Sequence, residues 1–299
     1  MKQKLESLAV FAVLALALSS PFVIYLARSP VLIVTDVSFG SLYGGDRIRR
    51  ETAFSSLLLY RRVKTVPVAD DAGDDIVQFA VAEASSRPFC ALFPLRFAQA
   101  ARLYREQNPS VKVILLEGRY AEGSNPSEKA VGGNAGDYFI YKTDIDADFY
   151  RAGLAAAILD GEKNGKTAVF LESHLQTQGK EAFLRALDDM EKPLQTSFYT
   201  SFSQFSGDPG LSCVVLGGIG ADYLDKYSGV PVVFFTWMPP SLLPFDAVLV
   251  LNDSPWAQTV QAVRMAAAGM QSGQLRSKKL FLPGKDIDKR TLRKLRKIG

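Results

Sequence analysis

The chain has 299 residues, of which 47% are hydrophobic and 22% are charged, a composition typical of a globular protein with a sizeable core. Its net charge is +4, but the basic excess is concentrated after residue 275, which leaves the preceding body mildly acidic. This distribution excludes a basic nucleic-acid-binding body, so no nucleic acid is expected among the partners.

The N-terminus places Lys2 and Lys4 before an apolar run from Leu8 to Ala27. A run of about twenty residues is long enough to cross a bilayer as a helix, and its basic flank predicts a cytoplasmic N-terminus. Residues 1–29 are therefore expected to be an uncleaved anchor, with a cleaved secretory signal and a buried soluble helix as alternatives. Pro21 disfavours cleavage after the preceding serines. The expected location is the periplasmic side of the inner membrane, or the periplasm after cleavage.

Beyond residue 29, short apolar runs alternate with amphipathic patterns. The runs typical of strands are 31–36, 63–69, 88–95, 111–118, 138–143, 166–173, 195–201, 212–218, 230–237 and 246–253. The helical patterns are 46–60, 74–86, 95–107, 146–163, 176–191 and 254–271. Nearly continuous apolar strands separated by amphipathic helices predict an α/β fold of parallel sheets covered on both faces.

Ten strands are too many for one small sheet, so two doubly wound lobes are expected. The polar, glycine-rich stretch 119–137 predicts a long loop near the division. The expected units are lobe 1 over 30–145, lobe 2 over 146–252, and a segment over 253–299 that returns to lobe 1 and ends in a basic tail. The two cysteines, Cys90 and Cys213, lie in separate apolar runs, which predicts two buried thiols.

Four stretches carry a resemblance to a known family. They are Asn108-Pro109 with Glu117 in FAQAARLYREQNPSVKVILLEG, the small-residue face 152–156, the glycine turn 217–220, and VLVLNDSPWAQTVQAV at 248–263. In this order and spacing the chain resembles the basic membrane protein family of substrate-binding proteins, which includes bacterial purine-nucleoside receptors. The resemblance implies a type I periplasmic-binding-protein fold with three hinge crossings, a small-molecule ligand held in the cleft, and an ABC-type permease as partner.

Two departures from the family pattern affect the ligand. The loop after the first strand, SFGSLYGGDRIRRE, lacks the family's Phe-Asn pair. The acidic group that grips ribose in the family is replaced at 235–240 by Phe-Thr-Trp-Met-Pro-Pro. A nucleoside-like ligand and a sugar-like ligand therefore both stay possible, and Trp237 is the candidate for stacking on the ligand.

Ligands of open α/β sheets bind beyond the carboxyl ends of the strands. Carboxylates there accept hydrogen bonds from hydroxyl or ring N–H groups, and aromatic rings give flat stacking faces. The candidates for ligand contact are Asp36, Phe39, Tyr43, Phe93, Glu117, Glu172, Gly217, Gly218, Trp237 and Asp253. For Asp36 the alternative is a helix cap, for Phe39 and Phe93 it is core packing, and for Glu117 it is a cap or salt bridge.

No catalytic residue, metal site or cofactor is expected. His174 is the only histidine and has no Ser or Cys signature beside it, and no Cys/His cluster has metal-ligand spacing. The basic tail places Leu292, Leu295 and Ile298 at helical spacing, which predicts an amphipathic helix on a membrane or partner, or the terminal helix of a lobe.

The function these observations favour is that of a membrane-tethered, extracytoplasmic solute-binding protein, not an enzyme, serving an ABC-type transporter. The alternative is an anchored sensor or interaction module that keeps the fold and has altered or lost transport binding.

Overall fold

The computed structural model describes residues 23–119, 138–161, 165–192, 194–207, 210–217, 229–236, 241, 243, 246–282 and 287–299. Within these residues the strands form two six-stranded sheets, and each sheet with its helices forms one lobe. The predicted α/β fold of two parallel-sheet lobes is confirmed. Since the described residues begin at Val23, most of the N-terminal apolar run lies outside them, and no described helix is long and apolar enough to cross a membrane.

The first lobe contains a parallel sheet whose central strands are buried except at their ends. In spatial order its strands are β11 (Ser272–Leu275), β5 (Phe139–Thr143), β4 (Lys112–Gly118), β3 (Cys90–Pro94), β1 (Val31–Asp36) and β2 (Val63–Val68). Its helices are α1 (Val37–Tyr43), α2 (Gly45–Leu59), α3 (Asp74–Ala84), α4 (Ala98–Gln107) and the returning α7 (Pro255–Ala267). Burial of both sheet faces explains the continuous apolar runs in the sequence.

The second lobe repeats this arrangement. In spatial order its strands are β12 (Lys278–Phe281), β10 (Ala247–Asn252), β9 (Val232–Phe235), β8 (Leu211–Gly217), β6 (Lys166–Leu171) and β7 (Gln195–Tyr199). Its helices are α5 (Ile145–Asp160), α6 (Gln176–Asp189) and α8 (Lys289–Arg296). Strand β12 runs antiparallel to β10, while the other described pairs are parallel.

Three elements were not predicted. Helix α1 occupies a stretch expected to be a loop, because the Asp36 side chain caps its first turn by accepting from the Phe39 amide. Strands β11 and β12 are four residues each; β11 is mostly polar and half of β12 is lysine, so neither shows the apolar signature of a buried strand. Both are edge strands of their sheets, and an edge strand has a neighbouring strand on one side only, so it does not require an apolar sequence.

The described chain passes between the lobes three times, after β5, after β10 and between β11 and β12. The second passage begins α7, where Ser254 caps the helix and Pro255 occupies its first turn. The segment from 253 was expected to return to lobe 1. Helix α7 and β11 do so, but β12 and α8 belong to lobe 2, which corrects that expectation for the chain beyond residue 277.

The basic tail ends as a helix packed on lobe 2. Leu295 and Ile298 are buried in the same apolar cluster as Phe149 of α5, while the basic side chains of α8 point to solvent. Of the two alternatives for the tail, the terminal helix of a lobe is confirmed. Cys90 and Cys213 are both buried and unpaired in described strands of different lobes, as predicted.

Candidate functional site

A cleft of about 450 Å³ lies where the two lobes face each other. Its first-lobe wall is formed at the carboxyl ends of β1, β3 and β4 by Phe39, Pro94, Leu95, Arg96, Leu116, Glu117, Gly118 and Arg119. Its second-lobe wall follows β6 and β8 with Glu172, His174, Leu175 and Gly217, and the second passage adds Asp253, Ser254, Pro255 and Gln258. The location is the one expected for ligands of open parallel sheets.

Five of the predicted contact residues line this cleft: Phe39, Glu117, Glu172, Gly217 and Asp253. Gly218 and Trp237 lie outside the described residues. The remaining three, Asp36, Tyr43 and Phe93, lie behind the cleft surface, and each has a structural role there.

Asp36 caps helix α1 and pairs with a residue of the cleft. One carboxylate oxygen accepts from the Phe39 amide, and the other lies 2.7 Å from an Nη atom of Arg96. The Asp36 side chain is only 10% exposed, whereas that of Arg96 is 46% exposed. Asp36 therefore holds the two cleft residues Phe39 and Arg96 in place, which matches the capping alternative.

Tyr43 is fully buried, so it does not form cleft surface. Its ring lies 4.5 Å from that of Trp256, and Trp256 in turn stacks on Phe39 at 5.4 Å with an interplanar angle of 15°. The hydroxyl oxygen of Tyr43 accepts from Asn252 at 3.1 Å and from Ser254 at 3.2 Å. Tyr43 thus fixes the second passage to lobe 1, because helix α7 returns over it.

Phe93 is likewise a core residue rather than a contact residue. It has no exposed surface and its ring packs 6.0 Å from that of Tyr104 on α4. The side chain of a residue at the end of a parallel strand points to one sheet face or the other, and that of Phe93 points to the face covered by α3 and α4. Sequence periodicity alone does not distinguish these two faces.

Arg119 is the central cation of the cleft, and sequence reasoning missed it. Gly118 adopts a φ of 72°, a conformation that favours glycine, and turns the chain directly after β4. The Arg119 guanidinium then lies 3.1 Å from the Asp253 carboxylate, donates to the Leu251 carbonyl at 3.1 Å, and lies 5.1 Å from the Phe235 ring centroid. A basic residue immediately beyond a strand end was the available sequence signal.

Asp148 of α5 is a fully buried acid beneath this cation. Its carboxylate accepts from the Ser277 hydroxyl and lies 3.6 Å from Arg119 and 3.5 Å from Arg151. Burial raises the pKa of Asp148 to about 6, although the two guanidinium groups and the Ser277 hydroxyl oppose the shift. The group therefore titrates nearer to neutral pH than an exposed aspartate.

The second-lobe wall is held to Arg119 by the single histidine. An imidazole nitrogen of His174 lies 2.8 Å from the Arg119 carbonyl oxygen, and the other lies 3.2 Å from the Glu172 carboxylate. The histidine therefore bridges a residue that follows β4 and one that follows β6. No serine or cysteine is among its described hydrogen-bond partners, so the arrangement is not that of a nucleophile and base.

The cleft lining is slightly acidic. Three carboxylates, Glu117, Glu172 and Asp253, face two guanidinium groups among the described lining residues. Glu117 is 94% buried, since only 6% of its surface is exposed. No group of three or more metal-ligating side chains is found in the described part of the chain. The lining suits a neutral ligand with hydroxyl or N–H groups better than an anion.

The fold is shared with solved periplasmic-binding-protein-like structures. A transcriptional activator of the comK gene from Bacillus halodurans superposes with a TM-score of 0.55 at 13% identity, covering 90% of this chain and 95% of its own. A periplasmic ABC-transporter solute-binding protein from Actinobacillus succinogenes, solved with bound D-allose, gives a TM-score of 0.51 at 12% identity, covering 89% and 99%. At these identities the likeness shows the fold alone. No protein-family model and no curated protein sequence matches the chain.

Proposed function

We propose that this chain is an extracytoplasmic solute-binding protein that captures a small, uncharged, hydroxyl-rich ligand between its lobes. The ligand class is sugar-like or nucleoside-like, and the partner that receives it is an ABC-type permease. The N-terminal apolar run tethers the protein to the membrane in this proposal. The order of sequence motifs that resembles the basic membrane protein family supports the permease partner.

The observation that carries the proposal is the chemistry of the cleft. The strand ends of two parallel sheets bring together Glu117, Glu172 and Asp253 as acceptors, Arg96 and Arg119 as donors, and Phe39 as an aromatic face. Sugar hydroxyls need paired donors and acceptors, and the apolar face of a sugar or base packs on an aromatic ring. The acidic lining opposes a carboxylate or phosphate on the ligand.

Ligand capture in this proposal uses movement of the lobes. A ligand that contacts strand ends of both sheets binds the closed form better than the open form, so it shifts the equilibrium towards closure. Each passage between the lobes is short, which suits a hinge. The structural neighbour solved with D-allose supports a sugar-like ligand, since it has the same fold.

The absence of enzymatic activity is also part of the proposal. His174 contacts Glu172 and the Arg119 carbonyl oxygen within the described residues, and neither contact supplies a nucleophile. The anchored-sensor alternative shares the fold, so only ligand binding separates the two functions.

Thermal unfolding of the full chain against a panel of D-allose, D-ribose, D-galactose, adenosine and guanosine tests the proposal. A true ligand at about a hundredfold excess over its Kd stabilises the folded protein by about 2.7 kcal/mol. Glu117→Gln should abolish the shift, whereas Glu181→Gln, on the exposed face of α6, should retain it. If no member of the panel raises the Tm, the sensor alternative replaces the transport function.

A further inference from the structure

A second cavity, of about 350 Å³, lies between helix α2 of lobe 1 and strand β12 of lobe 2. Tyr43 separates it from the main cleft. The Tyr43 ring lies under Arg47, and the Tyr43 hydroxyl accepts from Asn252. Arg47 and Asn252 both line the second cavity. The same tyrosine packs near Phe39 of the main cleft. The two cavities share no described lining residue.

The second cavity is strongly basic. Four cations, Arg47, Arg50, Lys278 and Lys279, face one carboxylate, Glu51, in its described lining, a net formal charge of +3. Glu51 is committed to Lys278, since its carboxylate lies 2.5 Å from the Lys278 ammonium. This charge is opposite in sign to that of the main cleft, so the two cavities suit different ligands.

Among the described contacts, two of the cations donate to backbone carbonyls and pair with no carboxylate. Arg50 donates to the Asp46 carbonyl at 3.4 Å, and Lys279 donates to the Ile298 carbonyl. Burial lowers the pKa of Lys279, and the nearby Arg151 and Arg276 guanidinium groups lower it further. An anion placed in the cavity would offset this repulsion.

Exposed apolar side chains continue from the cavity lining along α2. Phe54 lines the cavity and is 51% exposed, and Lys278 lies 5.5 Å from the centre of its ring. Leu57 and Leu58 follow Phe54 by one helical turn and are 73% and 42% exposed. The cations and the apolar side chains therefore occupy one continuous face of α2. A molecule with an anionic head and an apolar part matches that face.

We propose that the cavity between α2 and β12 binds a phosphate group carried by a molecule with an apolar portion. Arginine and lysine bind phosphate oxygens through charge-assisted hydrogen bonds, and arginine does so in a fork geometry. Two sources supply this chemistry, the headgroup of an anionic phospholipid and a soluble phosphate ester. The site is separate from the main cleft, so a failed test of this phosphate site leaves the proposed function unaffected.

Calorimetric titration of inorganic pyrophosphate tests the anion site, with the full chain held in phosphatidylcholine nanodiscs at constant ionic strength. The wild-type chain should bind, and Arg50→Gln should weaken binding about tenfold or more, since one charge-assisted hydrogen bond is lost. Lys180→Gln removes an exposed cation of lobe 2 far from the cavity in sequence and should bind like the wild type. No binding by the wild type, or equal binding by Arg50→Gln, overturns the site.

A Lys279→Gln variant provides a second test of the same site. Lys279 also donates to the Ile298 carbonyl, so its loss can affect folding. If that variant unfolds, Arg47→Gln takes its place. A third titration compares glycerol phosphate with dihexanoyl phosphatidylglycerol. Tighter binding of the lipid, with the gain lost in Phe54→Ser, identifies a headgroup as the source. Equal binding of the two leaves a soluble phosphate ester as the ligand and overturns the requirement for an apolar portion, and binding of neither overturns the site.

Discussion

The guanidinium of Arg119, which follows β4 of lobe 1, lies 3.1 Å from the carboxylate of Asp253 in the second passage between the lobes. The same carboxylate lies 3.4 Å from the Thr143 hydroxyl, at the start of the first passage. Arg119 also donates to the Ser277 hydroxyl at 3.3 Å, in the third passage. One cation therefore contacts the second and third passages directly and the first through Asp253, and it lines the ligand cleft.

Replacing Arg119 by alanine should destabilise the protein strongly. The change leaves the carboxylates of Asp148 and Asp253 without their shared cation, and Asp148 is fully buried. Breaking a buried ion pair by removing one partner costs about 3–5 kcal/mol. The free energy of unfolding, measured by urea denaturation at pH 7, should fall by this amount.

Arg185→Ala is the matched control, because Arg185 pairs with Asp146 at 2.6 Å but both side chains are about half exposed. A surface pair contributes about 0–1 kcal/mol. Equal losses for the two variants would show that the Arg119 cluster is no more important than a surface ion pair.

Asp148 should make stability depend on pH. Burial raises its pKa from 3.8 to about 6, so the folded carboxyl binds a proton more tightly than the unfolded one. Its contribution to stability is therefore complete below about pH 4 and is lost as the pH rises through about 6. The wild type should lose roughly 3 kcal/mol relative to Asp148→Asn over this interval.

The test is the difference in unfolding free energy between wild type and Asp148→Asn at several pH values from 4 to 7.5. Asparagine keeps the side-chain shape and does not titrate, so the effects of all other acids cancel. A difference that stays constant with pH, or grows in favour of the wild type as the pH rises, contradicts the assignment.

Tyr43→Phe should cost about 1–3 kcal/mol, because it leaves the buried donors of Asn252 and Ser254 without their acceptor. Tyr150→Phe removes a hydroxyl that donates to Asp189 at 2.7 Å near the surface and should change stability by no more than about 0.5 kcal/mol. Chemical denaturation of both variants measures the two effects. A Tyr43→Phe protein as stable as the wild type would mean that this hydroxyl does not hold the second passage.

Gly153→Ala should destabilise lobe 2 by overpacking. A Cβ atom at Gly153 would lie 2.6 Å from the Phe183 carbonyl oxygen and 2.7 Å from the Ala186 Cβ, so helices α5 and α6 would have to separate. Such insertions cost about 1–3 kcal/mol. Gly45→Ala, where an added Cβ meets nothing within 4 Å, should leave stability unchanged or slightly higher. Melting temperatures that fall equally in both variants would contradict the close packing of α5 on α6.

The fold could be predicted largely from local patterns. The runs at 31–36 and 166–173 each have a continuous apolar centre, and the structure makes them the buried strands β1 and β6. Burial on both sheet faces imposes that pattern, so these strands can be recognised from the sequence alone. The same reasoning placed Phe39, Glu117 and Asp253 at strand ends, and the cleft contains all three.

The sequence by itself determined the order of the buried strands and the amphipathic helices, because the spacing of apolar residues reports whether a segment is buried and on how many faces. Only the tertiary structure decided which segments meet. Arg119, Asp148, Asp253 and Ser277 come from four distant parts of the chain, and Tyr43 is buried only because helix α7 returns across it. Such contacts depend on how two sheets and three passages are positioned in space. Local periodicity contains no information about how far apart, or in which direction, these distant segments lie.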